Sequence, residues 1–271
     1  MSSMPIRGTG WMVMGVLSLA LAMPTGDAFS QNRNRGSGAA GAPGQPAPPK
    51  SAREAAPFDL TGYWVSVVTE DWLERMTMPP KNFIGSLPVN EAARKAAASF
   101  DLAADKAAGQ ECRPHGAAAN IRSPGRLHIS WQNDDTLQID FSAGTQTRTI
   151  PFKPAAPPSA ELTWQGQSVG SWNEALHLRQ FAAPARTGRP ALRVMTKQMK
   201  PGYLQKNGMP YSEQAVMTEF FDRFELNGTP WIVVTTQIDD PQYLREPLIW
   251  STQFRKEPDG SKWRPTACGE T

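Results

Sequence analysis

Three histidines, two cysteines and a scatter of carboxylates and arginines carry the reactive chemistry of this 271-residue chain. His115 lies in Cys112-Arg113-Pro114-His115-Gly116. An imidazole in a glycine-flanked loop, with a guanidinium two residues before it, could hold an anion or serve as a general base. Cys112-x-x-His115 lacks the second cysteine of a haem attachment site, and no other histidines cluster near it. No metal and no cofactor are therefore expected. His128 is the second candidate, since a strand pairing described below sets it opposite Asp140.

Two further motifs weaken on inspection. Gly166-Gln167-Ser168-Val169-Gly170 matches the Gly-x-Ser-x-Gly nucleophile elbow. That elbow needs a strand before it, a helix after it, and an acid and then a histidine later in the chain. Here only His177 follows, with Glu174 between, and the surroundings are rich in strand signals, so the glycines read as the start of a strand. Asp239-Asp240-Pro241 offers paired carboxylates, but adjacent residues of a strand point to opposite faces. A turn before proline is the better reading.

Cys112 and Cys268 are the only thiols. In an exported chain they are expected to pair, closing a loop of 155 intervening residues; two free thiols are the alternative. Eight tryptophans and four tyrosines follow residue 57. Most belong in a core, while some could line a cavity, because amphipathic rings with a polar handle suit small-molecule pockets. Candidate binding residues are Trp64, Arg113, Trp131, Arg148, Tyr203, Tyr211 and Trp250. Tyr203 and Tyr211 bracket a loop that could act as a lid.

The elements that must position these groups are mostly strands. Short β-branched and aromatic runs separated by turn residues cover Tyr63–Thr69, Arg126–Gln132, Thr136–Ser142, Thr147–Phe152, Ser168–Trp172, Leu192–Met199, Met217–Leu226, Trp231–Ile238 and Ile249–Lys256. They predict antiparallel β structure, a sandwich or a barrel. The one helical stretch runs from Asn90, a plausible N-cap, to about Lys106, with a break near Asp101. Pro154–Glu161 and Phe181–Pro190 read as Pro- and Ala-rich surface loops. Asn227-Gly228 is the strongest hairpin signal.

Parity fixes which residues share a face. Leu127, Ile129 and Trp131 on one strand, and Leu137, Ile139 and Phe141 on the next, are all odd-numbered. A tight hairpin through Asn133–Asp135 sets His128 opposite Asp140. A similar turn at Ala143–Thr145 would set Asp140 opposite Arg148. The result is a polar ladder, His128–Asp140–Arg148, on a solvated outer face or, alternatively, inside a barrel.

The charge is unevenly placed. The chain carries 28 basic and 25 acidic residues, a net +3. Residues 1–30 read as a secretory signal: Arg7, an apolar run Trp11–Met23, and Ala28-Phe29-Ser30 as the cleavage site. Thirteen apolar residues are too few to span a bilayer, so no membrane span is expected after cleavage. Residues 31–57 read as a disordered Gly/Ala/Pro linker with Arg33, Arg35, Lys50 and Arg53 against Glu54. Residues 58–271 hold 23 basic and 23 acidic residues and form the folded domain. The excess charge thus belongs to the tether, and nucleic acid is not an expected partner.

Leu60-Thr61-Gly62-Tyr63-Trp64 resembles the opening of lipocalin-like barrels, which implies a Trp64 plug with a late arginine, here Arg255, packed over it. The set Cys-x-Pro-x-Gly at 112–116, Gly-x-Ser-x-Gly-x-Trp at 166–172, Glu219-Phe220-Phe221-Asp222-Arg223-Phe224 and Asp239-Asp240-Pro241-Gln242-Tyr243 is similar to a group of uncharacterised exported bacterial proteins. That resemblance implies export and a β-rich architecture and transfers no catalytic role. The chain departs from the group's pattern at Leu248-Ile249, after Glu246-Pro247. The reading is a periplasmic or secreted, mainly β, antiparallel barrel-like (lipocalin-like) domain with one helical insertion. It is expected to bind a small apolar or aromatic molecule in the barrel. The alternatives are a hydrolase, isomerase or lyase using His115 or His128 with an acidic partner, and an interaction module for another periplasmic protein.

Overall fold

The computed structural model describes residues 50–154, 160–173 and 190–270. The expected signal, the linker as far as residue 49, Glu174, His177 and most of the two Pro/Ala loops lie outside them. In chain order the strands are β1 Gly62–Val67, β2 Arg126–Asn133, β3 Thr136–Phe141, β4 Ala143–Gly144, β5 Gln146–Pro151, β6 Gln167–Asn173 and β7 Ala191–Lys197. They continue as β8 Gly202–Gln205, β9 Met209–Tyr211, β10 Val216–Leu226, β11 Thr229–Asp239, β12 Leu248–Lys256 and β13 Thr266–Ala267. The helices are α1 Trp72–Met76, α2 Glu91–Ala98, α3 Leu102–Ala107 and α4 Ala117–Asn120, with a 3-10 turn at Arg113–His115.

Nine strands pair antiparallel in the order β5-β3-β2-β1-β12-β11-β10-β7-β6, and the sheet nearly closes on itself. The two edges face each other: a Cβ on Gly170 of β6 would lie 2.9 Å from Ile150 Cγ2 of β5. These nine strands match the nine expected ones to within two residues at each end. Alternation explains the match, because one face of each strand is buried in the barrel and the other is at least partly wet. Inside sit Trp64, Leu127, Ile129, Leu137, Ile139, Ile150, Phe221, Ile232, Val234 and Phe254. At β10–β11, Leu226 opposes Thr229 across Asn227-Gly228, both with positive φ (52° and 73°), as a two-residue hairpin turn requires.

Two registers differ in outcome. In β2–β3, His128 does oppose Asp140, with an irregularity between Trp131 and Asn133 absorbing the turn. In β3–β5, Asp140 opposes Thr147, and Arg148 opposes Ile139. The ladder expected to end at Arg148 is therefore one residue out. Gly144 and Thr145 both take left-handed φ (73° and 48°), and Ala143–Gly144 is drawn aside to pair in parallel with β13. A one-residue slip reverses the facing of the whole strand, so Arg148 points into the barrel.

The opening motif also needs correction in its partner. Trp64 is fully buried and donates its Nε1–H to Leu60 O at 2.8 Å. The cation over its ring is Lys256, its cross-strand partner, with Nζ 4.5 Å from the ring centre. Arg255 lies across from Val65 and is exposed, since it has the opposite parity.

The ordered contacts begin upstream of Phe58. Ala52 is buried; its N–H donates to Asp135 Oδ1 at 2.9 Å, and its carbonyl accepts from Trp172 Nε1 at 2.7 Å. At the opposite end of the barrel lies a cap with its own apolar cluster, including Val89, Ala93, Ala97, Leu204, Met209, Tyr211, Met217 and Ile238. The single expected helical excursion is two helices, as the break near Asp101 suggested. Asn90 Oδ1 accepts from Ala93 N, and Asp101 Oδ1 accepts from Ala103 N and Ala104 N, each acid or amide capping its own helix. Helices α1 and α4 are additional to the one insertion expected.

Candidate functional site at the capped mouth

Among the described residues one fully buried charged pair lies inside the barrel. Arg148 on β5 and Glu219 on β10 are 1% and 0% exposed and form a two-point ion pair, Nη1–Oε2 2.9 Å and Nη2–Oε1 3.2 Å. Burial pushes the Glu219 carboxyl up, with the guanidinium pulling the other way. Near that pair Ser168 Oγ lies 2.8 Å from Thr196 Oγ1. Ser168 thus sits mid-strand facing inward, hydrogen-bonded to a threonine, and not on an elbow. The rest of the interior is packed with the apolar side chains named above.

Open space lies at the capped mouth, in a cleft of about 550 Å³. Three segments build it: the turn and helix α1 after β1, the turn after α4, and the start of β12, with the β8–β9 loop across the way. Arg75 of α1 is only 4% exposed. Its Nε donates to Arg122 O at 3.0 Å and its Nη2 to Ser66 Oγ at 3.1 Å, which pins α1 to the barrel rim. Arg122 donates from Nη2 to Asp71 Oδ2 at 2.8 Å, and its guanidinium carbon lies 4.3 Å from the centre of the Trp250 ring. Lys206, half-buried, completes the cationic side. Burial, reinforced by the neighbouring Arg122 charge, lowers Arg75 to about 10. Burial alone lowers Lys206.

The hydrogen bonds of this cleft do not close, and Gln205 Oε1 is a covered acceptor with no donor. Arg75 Nη1, Arg122 Nη1 and Trp250 Nε1 are covered from solvent and have no acceptor in the protein. A buried donor in that state costs about 1–3 kcal/mol, so three of them side by side are unusual. The carboxylates Glu70, Asp71 and Glu74 line the same cleft, Glu70 and Asp71 exposed; Asp71 is held by Arg122 and Glu70 accepts from Ser251 Oγ at 3.0 Å.

A smaller recess of about 190 Å³ lies on the other side of the Arg113–His115 turn. Asp105 is its hub: Oδ1 accepts from Arg113 Nη1 at 2.7 Å and Oδ2 from Tyr203 Oη at 2.6 Å. Arg113 Nη1 also donates to Tyr203 Oη at 2.9 Å. Burial, followed by the Asp105 hydrogen bond, raises the Tyr203 phenol. Asp105, Arg113 Nη1 and Tyr203 bond one another, while Arg113 Nε and the Tyr211 hydroxyl, which lines the same recess, are covered and have no partner.

The candidates from sequence are therefore dispersed. Trp64 and Arg148 are interior; Trp131 packs with Phe152 and Trp172 at the far end. Tyr211 is fully buried in the cap, where Gly116 lets it come close: a Cβ there would lie 1.9 Å from the phenol oxygen. Arg113, Tyr203 and Tyr211 all line the small recess, and of the candidates only Trp250 lines the large cleft. His115 is buried with Nδ1 3.4 Å from Asn120 Oδ1, and burial lowers its pKa. His128 lies on the outer face, 3.4 Å from Asp140 and stacked on Tyr63. The structure does not bring the two histidines, Asp140 and Arg148 together. Among the described residues no group of three or more His, Cys, Asp and Glu could hold a metal.

Sequence reasoning missed Arg75, Arg122 and Lys206. Each is one of 23 basic residues in the folded part, and nothing in its spacing sets it apart. Only the α1 turn, itself too short to show periodicity, places Arg75 under the rim. Cys112 and Cys268 do pair, tying the Arg113–His115 turn to the C-terminal segment. No protein-family model matches the chain, and neither a curated protein nor a solved structure matches it.

Proposed function

We propose that this is an exported protein that binds a small molecule non-covalently, in the cleft at the capped mouth of the barrel. The cluster Arg75, Arg122 and Trp250, three side chains each with one covered, unpaired donor around one open space of pocket size, is the observation that carries this reading. A packed apolar interior supports the mouth over the barrel lumen as the place of binding. The signal at residues 1–30 supports export to the periplasm or beyond, and the Cys112–Cys268 disulfide is compatible with it.

Native mass spectrometry of the exported protein purified from its own host tests the proposal. The expected result is an adduct of small-molecule mass on the wild type that is lost from Trp250→Ala. A ligand-free protein that also stays unstabilised across a metabolite panel would count decisively against it. A second reading, docking of another exported protein, is favoured by the exposed apolar residues beside the cleft: Trp72 and Ile249 are 64% and 62% exposed, with Leu73, Met76 and Met78 nearby in sequence. A co-purifying protein in the same spectrum, with no small adduct, would favour that surface.

A further inference from the structure

The cleft's donors say which chemistry would fit it. We infer that its ligand is a monoanionic carboxylate on a planar apolar body, a conclusion that rests on the small-molecule reading above. The inference starts from depth. Arg75 is 4% exposed, the Arg122 side chain 11% and Lys206 half-buried, and the two arginines each hold one covered N–H group that nothing in the protein accepts and that a small side-chain shift would turn to a ligand. A carboxylate presents two acceptor oxygens to such forks and forms charge-assisted hydrogen bonds with both. Burial already depresses the Lys206 ammonium, so a buried anion beside it relieves a cost the protein carries without one.

Charge balance narrows the anion. Glu70, Asp71 and Glu74 line the same cleft, three carboxylates against three cations, so it is not a general anion sink. A ligand with one negative charge gains the cationic contacts at modest cost from these carboxylates. A dianionic phosphate meets twice the repulsion from them, and a polyanion more. The body of the ligand is set by the walls. Arg122 stacked on the Trp250 indole forms a flat platform, and Leu87, Leu204 and Leu248 supply apolar surface. Flat rings suit a guanidinium–indole stack better than branched aliphatic chains do. Trp250 Nε1 adds a donor at the edge of that platform.

Isothermal titration of the mature full-length protein separates this inference from the reading beneath it. The probes are one- to three-ring aryl carboxylates, their primary amides and the corresponding aryl phosphates. At least one carboxylate is expected to bind, with its amide and its phosphate each weaker by roughly tenfold or more. Lys206→Gln and Arg122→Gln are each expected to weaken the carboxylate by roughly tenfold while moving the amide little. Arg122→Lys should recover only part of the loss, because charge returns without the fork. Lys206 is partly exposed, so its variant is expected to fold even if the Arg122 variants do not. Amides or phosphates that match or exceed the carboxylates overturn the carboxylate assignment and leave small-molecule binding standing. If no probe binds, the carboxylate assignment fails. If the host-purified protein is also ligand-free, the binding reading fails with it.

Discussion

The barrel wall and its cap obey different rules, though they belong to one chain. In the wall, period-two alternation decides almost everything: odd or even residue number sets inside or outside, strand after strand. Its interior polar groups are few: Arg148 pairs in charge with Glu219, Ser168 bonds Thr196, and Thr236 and Thr252 are buried beside them. The cap has no period. Its helices are four to eight residues long, and its geometry rests on side chains that bond to backbone, such as Asn90, Asp101 and Asp240. Regular ladders close the wall into a packed interior, while irregular loops leave open space, and that is why the cleft lies at the cap.

Breaking the disulfide should have the largest effect and should separate the two regions. Cys112 and Cys268 are 156 residues apart, and a crosslink of that span stabilises by about 4–5 kcal/mol on chain entropy. The double variant Cys112→Ser/Cys268→Ser is expected to lose that much in denaturant unfolding. Native-state hydrogen exchange should show the cap opening first, at α4 and β8–β9, while β10 and β11 stay protected. Equal loss of protection in β10 and β11 would show that wall and cap are one cooperative unit. The next effect belongs to the wall. Glu219→Ala leaves a buried guanidinium unpaired and should cost about 3–5 kcal/mol. The double change Glu219→Leu/Arg148→Met should recover most of it, because an apolar pair of similar volume replaces the ions. A single variant as stable as the double would mean that Arg148 reaches water, and the wall would not be the dry region described.

The same division explains what could be read from the residues alone. Nine strands, the Asn227-Gly228 turn, the split helix and the His128–Asp140 pairing all follow from alternation or from caps of known chemistry. Arg148 was misplaced because parity carries across a hairpin only if the turn is regular. Two successive left-handed residues, Gly144 and Thr145, broke the count. The lysine over Trp64 follows from the β1–β12 register, which sequence does not fix for strands so far apart. The cleft was the least legible part. Arg75, Arg122 and Trp250 come from three distant segments, and their meeting depends on cap loops whose conformation is set by tertiary contacts such as Arg75 Nε to Arg122 O.

The smallest effect is a paired test of two aspartates with similar hydrogen-bond inventories in the two regions. Asp140 on the outer wall accepts from Gln138 and from Thr147 Oγ1 at 2.7 Å and faces His128, with its side chain 21% exposed. Asp105 in the cap accepts from Arg113 and Tyr203, with its side chain 10% exposed. On the wall, water replaces the lost partner and the strand ladder holds the backbone regardless. Asp140→Ala should therefore cost less than about 1 kcal/mol. In the cap, the loss leaves the Tyr203 hydroxyl and the Arg113 fork under-bonded where water reaches poorly. Asp105→Ala should cost about 1–3 kcal/mol. Thermal unfolding of the two variants side by side measures the difference. Equal losses would mean that neither exposure nor the regularity of the surrounding backbone distinguishes these networks, and the contrast between wall and cap would rest on the disulfide experiment alone.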